Sequence, residues 1–568
     1  MLFSKGSLGW AFFLASVTSL SPLGSAQDLD MSQLNTSVDG RLKLSRPLAE
    51  PCYGASDGRD CEALKQSIGS AWARSDVYQG FQYMQGESCI SDPNDQCVID
   101  YRTLTVPPAA QCGQGVVSPY FVEVAGASDA QAVFQYARSS GATLSIKNSG
   151  HDYVMRSSRN GSIALWTRQL RDMAFSSSFT PEGCSEGDPG AAVTIGAGVD
   201  TDEAMTFAHA NGVLFTGGSA GTLGAAGGWS LNGGHSAVSN TYGLAADRAL
   251  QFAIITPDGT ERIANRCQNQ DLFWALRGGG GGAFGLVINT TYVAEQEASL
   301  VSAFMFFPGT NDNQRRFVEI LAENMDVWAL AGWSGPSSTN FSLLNNPLMT
   351  TSEAQSSLTA AVDYVKSQGG DVVWTTHDSY FGYYQQYING TFATGAVVST
   401  AEFVTSRVVP ADIFGDTTAR STMIDGIFEI ASTGVTPMLL TVTPYLYAHN
   451  NEGATNETSM HSAWYDSLWH IVVTGFNFDS KASYSERNGV VSLLHNTTTA
   501  LMLMAPEGCT YANEADPWLD QWESAYWGTN YPRLLEIKKS IDPDNLLSCW
   551  HCVGWEATLQ DYQCISNM

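Results

Sequence analysis

Hydrophobic and polar positions first fall into a readable order at residues 118–150, SPYFVEVAGASDAQAVFQYARSSGATLSIKNSG. VEV alternates as a strand. After it, Ala130, Val133, Phe134 and Ala137 recur at spacings of three and four, which lines one helix face, with Ser128 as its N-cap and Gly141 as its stop. ATLSIK returns as a strand. SIALWT and AAVTIGAGVD read as further strands, and TDEAMTFAHANG as a helix ended by Asn211-Gly212. QFAIITPDGTERIA reads as a hairpin over Pro-Asp-Gly, and QDLFWALR as a short helix running into five glycines. Strands and helices alternating in this way predict an α+β domain over 115–297.

On either side the texture differs. Residues 27–114 are rich in turns and cysteines and are expected to form an extension packed onto that domain. From 298 to 504, aromatic-rich strands and longer helices (WTTHDSYFGYYQQY, PMLLTVTPYLYAHN, SAWYDSLWHIVVTGF) predict a second α+β domain with an antiparallel sheet. Residues 505–568 carry a helix with Pro532 near its first turn and Leu534, Leu535, Ile537 and Ile541 for burial. This tail is expected to return to the first domain.

The first 26 residues hold one lysine, an apolar run near AFFLASV and the small-residue ending Gly24-Ser25-Ala26, the pattern of a secretory signal peptide cleaved after Ala26. Its apolar core is too short to span a bilayer, so the expected location is extracellular, with no membrane insertion. The formal charge of −28 at pH 7 repels phosphate backbones and anionic lipid, which argues against nucleic acid as a partner. Eleven cysteines in an oxidising compartment imply disulfides with one thiol left over. The close pairs Cys52/Cys61 and Cys89/Cys97 suggest local staples, although spacing does not fix connectivity. CWHC at 549–552 lacks the second pair a zinc site needs, so it reads as a disulfide and no metal is expected. Sequons at Asn35, Asn160, Asn289, Asn340, Asn389, Asn456 and Asn496 fit an exported glycoprotein.

Between Gly217 and Gly285 two dense glycine clusters flank apolar strands. Glycine lets a backbone approach a ligand with no Cβ in the way, so the clusters suggest a large, flat or polyphosphorylated ligand rather than a linker. A dinucleotide G-x-G-x-x-G fails, because IGAGVD is followed by Thr201. A phosphate-binding loop, a His-Glu-x-x-His zinc site and a G-x-S-x-G elbow are also missing. In SIKNSGHDY, His151 is left open at this level as ligand, base, covalent anchor or turn residue.

The ordered motifs KNSGHDY, IGAGVD, GGW…GGHS…TYGLAADRAL, PDG, DLFWALRGGGGGAFGLV and YWGTNYPRL…IDPDNLL resemble the FAD-linked oxidoreductases related to berberine bridge enzyme. These belong to the vanillyl-alcohol oxidase and p-cresol methylhydroxylase (PCMH) superfamily, and the chain is most similar to the secreted fungal branch that includes isoamyl alcohol oxidase-like proteins. The likeness is strong over 115–300 and good over the last 45 residues; in the middle it rests on length and texture. It implies a PCMH-type FAD-binding domain plus an α+β substrate domain.

It also implies that His151 bonds to the 8α-methyl of FAD, and that the turn Asn148, Ser149, Gly150, His151, Asp152 and Tyr153 cradles the pyrophosphate with backbone N–H groups. Gly217, Gly218, Gly228 and the run from Gly278, Gly279 and Gly280 to Gly282 would let flavin lie on bare backbone. Asn530 and Tyr531 match a pair that approaches the flavin ring. Relatives with a second tether have a cysteine where this chain has Ala220 or Gly221, so attachment through His151 alone is implied. Trp229 stands where those relatives have histidine, and His235 falls nearby, either lining the ring or packed in its loop.

The chemistry implied is hydride transfer from an alcohol or other small organic substrate to flavin, with reoxidation by O2 to hydrogen peroxide, in a protein expected to be a monomer. The base stays unassigned: His235, His377, Tyr380, Tyr383, Tyr384 and His470 are candidates, and PMLLTVTPYLYAHN carries no glutamate. The alternatives are an oxidative cyclase or desaturase of secondary metabolism and a non-catalytic flavin-binding glycoprotein.

Overall fold

The computed structural model describes residues 31–54, 60–100, 102–106, 111–185, 190–389, 400–556 and 562–568, so the expected signal peptide lies outside the described residues. Three parallel strands, Tyr120–Glu123, Ile163–Trp166 and Leu144–Lys147, form a sheet edged by antiparallel Leu42–Leu44. Between the first and third of them in space runs Ile163–Trp166; between them in sequence runs the helix Ala127–Ser140. That helix buries Ala130, Val133, Phe134 and Ala137, as their spacing predicts, and Gly141 ends it in the left-handed region. Ser128 does not cap it. Gly126 takes the N-cap position, and Asp129 accepts from Ala125 N at 2.8 Å while pairing with Arg41, so a carboxylate inside the first turn replaces the hydroxyl.

A second, fully antiparallel sheet runs Met173–Phe179, Gly190–Gly196, Leu286–Val293, Ala249–Ile255, Glu261–Asn265. The helix Thr201–Ala210 opens with a capping box between Asp200 and Glu203. The third sheet has seven antiparallel strands, ordered Asp371–His377, Leu300–Phe306, Phe341–Asn346, Gly335–Ser337, Thr436–Thr441, Ser467–Asp479, Thr400–Pro410. This is the α+β architecture with an antiparallel second sheet that the pattern predicts. Along Ser467–Asp479, Trp469, Ile471 and Val473 share one core with Asn311–Leu330, Thr417–Ser432 and Tyr484–Met504, and the two-residue period turns His470 to the other side.

The C-terminal helix Tyr531–Ile541 buries Leu534 and Ile537 and also Lys538. The Lys538 ammonium donates to Ala283 O and Leu547 O at 2.8 Å each and pairs with Asp542 at 2.6 Å, tying the last segment to the glycine run. Among the described residues no helix is long and apolar enough to cross a membrane. Asn35, Asn160, Asn456 and Asn496 are exposed; Asn289, Asn340 and Asn389 are half-buried, and the Asn389 amide donates to Asp202 at 3.0 Å.

Five disulfides form: Cys52–Cys61, Cys89–Cys564, Cys97–Cys112, Cys184–Cys267 and Cys549–Cys552. The suggested Cys89/Cys97 staple is thus corrected. Cys89 reaches across 475 residues to the C-terminus, which the fold brings beside it, and Cys97 turns to Cys112. Cys549–Cys552 closes CWHC as a disulfide. The thiol left over is Cys509, fully buried, with burial pushing it up to about 12. A thiol reagent is therefore expected to find no reactive group in the native protein and one equivalent after denaturation without reductant; two or more equivalents would contradict the pairing.

His461 packs against Gly528 and accepts from Ala463 N at 3.1 Å. Burial, reinforced by Arg407, lowers it from 6.5 to about 4. A histidine depressed in the fold binds its proton later than the unfolded chain does, so stability falls as pH drops from about 6.5 towards 4, by at most about 3 kcal/mol from this group. His461→Asn, which keeps an acceptor for the turn, is expected to flatten the loss of melting temperature over that window; an unchanged slope would refute the assignment.

Candidate active site

A cavity of about 340 Å³ opens where the strand Leu144–Lys147 ends. Its floor is the turn Asn148–Tyr153. Gly150, at φ +87°, makes the turn possible: a Cβ there would press on Gly80 O and the Lys147 stem, each 3.1 Å away. Trp166 Nε1 donates to Asn148 O at 3.2 Å, the Asn148 amide reaches Ala197 O, and Gly224 and Gly227 lie so close that a Cβ on either would collide with that amide. Asp152 does not face the cavity as a free charge. Its carboxylate accepts from Val154 N, Arg156 N, Ser157 N and Ser157 Oγ at 2.6–3.1 Å, so it holds the turn together.

His151 projects from this turn with Nε2 2.6 Å from Thr222 Oγ1, which leaves Nδ1 as the ring nitrogen without that contact. Burial, with Lys147 adding to it, lowers the imidazole to about 4, so it is neutral at ordinary pH. Among the described residues, the backbone N–H groups of Ser149 to Tyr153 meet no protein acceptor. Consecutive unpaired donors of this kind form a nest for an anionic group.

The opposite wall comes from both glycine clusters. Gly228, Gly281 and Gly282 line the cavity, and space is open where a Gly228 Cβ would stand. Gly217, Gly218, Gly278, Gly279 and Gly280 lie behind the wall. Gly218 packs on Trp229 and Leu223, Gly278 on Met460, and Gly279 N and Gly280 N bond to Ala275 O and Leu231 O. At the position where relatives carry a second tether, Ala220 lines the cavity and Gly221 faces Trp72 and Tyr384. Unpaired N–H donors, bare backbone and a neutral imidazole form a donor set that fits a diphosphate-linked flat ring such as FAD.

Asn530 and Tyr531 sit outside the lining. The Asn530 amide donates to Met460 O at 2.8 Å, and Tyr531 stacks on Trp527. The C-terminal groups that do line the cavity include Tyr511, Asn513 and Glu514, in the loop TYANEAD, and further on Ser548, Cys549 and Tyr562. Tyr83, from the N-terminal extension, lines it too; it stacks on Tyr153 and donates its hydroxyl to the Tyr153 oxygen at 2.7 Å. Arg156 bonds to Ala512 O and Asn513 Oδ1 at 3.0 and 2.8 Å.

Of the six base candidates, His235 alone lines the cavity. Its Nε2 meets Glu514 Oε1 at 3.1 Å, and Glu514 Oε2 accepts from His470 Nε2 at 2.7 Å, so a half-buried carboxylate lies between two imidazoles. His470 stands behind it, fully buried against Trp464 and Tyr511. His377 bonds to Ser302 at 2.9 Å, Tyr380 stacks on Tyr383, and the Tyr384 hydroxyl donates to Asp202 at 3.2 Å. These form a tyrosine-rich seam away from the cavity. Burial opposes ionisation of Glu514, but the two histidines outweigh it and hold the carboxyl well below the usual range.

Tyr511, Asn513 and Glu514 escaped the sequence reading because a carboxylate in a loop has no period to mark it. The available signal was an amide and an acid two and three residues after a tyrosine.

Residues 118–265 match the model of an FAD binding domain, and residues 510–551 the model described as berberine and berberine like. FAD-linked oxidoreductase OXR2 of Pyricularia oryzae is 38% identical, with 97% of this chain and 96% of that protein aligned. The crystal structure of the VAO-type flavoprotein MtVAO615 from Myceliophthora thermophila C1 superposes with a TM-score of 0.79 at 25% identity, over 94% of this chain and 96% of that one. Glucooligosaccharide oxidase from Acremonium strictum, studied for its 6-S-cysteinyl, 8α-N1-histidyl FAD, shares the fold at a TM-score of 0.65 and 17% identity, over 92% and 99% of the two chains.

Proposed function

Because the chain belongs to the FAD-linked oxidoreductases of the berberine bridge enzyme-like family, we propose that it is a secreted oxidase of an alcohol or similar small organic substrate, with FAD held covalently by His151 alone. The observation that carries this reading is that one cavity joins His151 and its unpaired N–H turn to the His235–Glu514 pair. When bound, FAD supplies the hydride acceptor and, on reoxidation by dioxygen, yields hydrogen peroxide.

The chain's own residues do the rest. Thr222 pins Nε2 of His151 and so presents neutral Nδ1 as the attachment atom, while Ala220 offers no second nucleophile. The N–H groups from Asn148 to Tyr153 hold the diphosphate, and Gly228, Gly281 and Gly282 let the ring system lie against backbone. At the substrate end Tyr83, Tyr153, Trp229 and Tyr511 exclude water and receive an apolar substrate face. Glu514 takes the substrate's hydroxyl proton; its two bonds leave lone pairs on each oxygen, and it is ionised in the resting site. Export is supported by the leader-like first 26 residues together with five disulfides, with the sequons as glycosylation sites.

Peroxide release over a panel of primary and benzylic alcohols tests the activity. Acid-precipitated protein is expected to stay yellow, and a colourless precipitate with free FAD in the supernatant would refute the covalent link.

A further inference from the structure

His470 does not itself line the cavity, yet it is completely buried and spends its Nε2 on Glu514, which does. The strand Ser467–Asp479 turns it away from the helix-covered core, towards the loop that carries Glu514. Trp464 and Tyr511 pack against its ring at centroid distances of 5.1 and 5.8 Å, and its Nδ1 has no partner among the described residues. A buried histidine with one unsatisfied nitrogen costs stability unless its other bond is worth having. That bond is the shorter of the two that Glu514 accepts.

We propose that His470 is a positioning residue for Glu514: by fixing Oε2 on the sheet side it leaves Oε1 to His235 and aims the carboxylate into the cavity as the proton acceptor. The inference rests on the reading of Glu514 given above and deepens it. The geometry also bears on pH. Facing Glu514 are His235 from the loop after Gly228–Leu231, His470 from the long strand, Tyr83 and Tyr153 across the cavity, and Tyr511 in the same loop; Arg156 approaches Tyr511 and Asn513, and Glu402 faces the two stacked tyrosines. Of these, the two imidazoles are the groups that bond to the carboxylate, so removing one weakens its hold on the ionised form. Burial lowers the His470 imidazole, with Glu514 opposing, and its Nε2–H donates to the carboxylate whether the ring is neutral or charged. The pair therefore extends the active form of the base towards low pH.

The test compares flavin-loaded wild type with H470L, H470N, H470Q and E514Q. The first readout is the protonated-carboxyl infrared band that E514Q removes. In wild type this band should be absent at pH 5. In H470L and H470N it should appear at least about one pH unit higher than in wild type, a tenfold change in the protonation constant. H470Q, whose amide can donate in place of the imidazole, should move it back. The second readout is kcat/KM for the fastest alcohol of the peroxide panel, whose loss in H470L should be about tenfold greater at pH 5 than at pH 8. A band that titrates together in wild type and in folded H470L or H470N, as judged by thermal unfolding, overturns the inference. Full turnover by E514Q would overturn the proton-acceptor reading instead, and the infrared titration still decides whether His470 governs the carboxylate.

Discussion

Replacing His151 with alanine is expected to leave a protein that gives a colourless pellet on acid precipitation, with every flavin recovered in the supernatant. The groups nearest to it on the cavity wall are poor substitutes. Ala220 stands at the position a second tether would need, and Cys549, which lines the cavity, is bound to Cys552. Thr222 Oγ1 sits 2.6 Å from the imidazole but is a far weaker nucleophile than a neutral ring nitrogen. The unpaired N–H groups of the turn and the glycine wall are untouched by the change, so flavin should still bind reversibly. Mass spectrometry of the peptide containing residue 151 gives the complementary result: the flavin mass in wild type and none in the variant. Acid-stable flavin in His151→Ala would refute the assignment.

The second large effect is expected from Glu514→Gln. The amide keeps the volume but removes the charge, and it can accept from only one of the two imidazole N–H groups while presenting its own NH2 to the other. Loss of a positioned general base lowers turnover by about 10²–10⁴-fold. Covalent flavin should be unaffected, because Glu514 bonds to His235 and His470 while His151 is held by Thr222. Steady-state peroxide release checks the first expectation and the yellow precipitate the second. Turnover within threefold of wild type would show that the proton leaves by another route.

What the sequence made legible was local. The helix Ala127–Ser140 could be read because four apolar residues at helical spacing need only each other and a sheet to pack on. The turn at His151 could be read because Ser-Gly-His after a short strand is itself the structure. The base could not. Glu514 meets His235 across 279 residues, and nothing near either of them in the chain announces the other. Tyr83 enters from an extension whose turns carry no period. The motif NYPRL was plain to see, but its Asn530 and Tyr531 support Met460 and Trp527 rather than the cavity, since a motif marks a place in the fold without saying which way its side chains turn. Cys89 offered a near partner in sequence and took the far one, a choice made by where the fold brings residue 564 rather than by spacing.

That far pairing sets an order of events in the making of the molecule. Tyr562 lines the cavity and donates its hydroxyl to Ser548 O at 2.8 Å; two residues on, Cys564 is joined to Cys89. This wall cannot be stapled to Cys89 until Cys564, 475 residues further along, has been synthesised. Its staple also requires an oxidising compartment. The cavity is therefore completed only once both cysteines have been made and oxidised, and a chain lacking residues 562–568 would have that side of the cavity open.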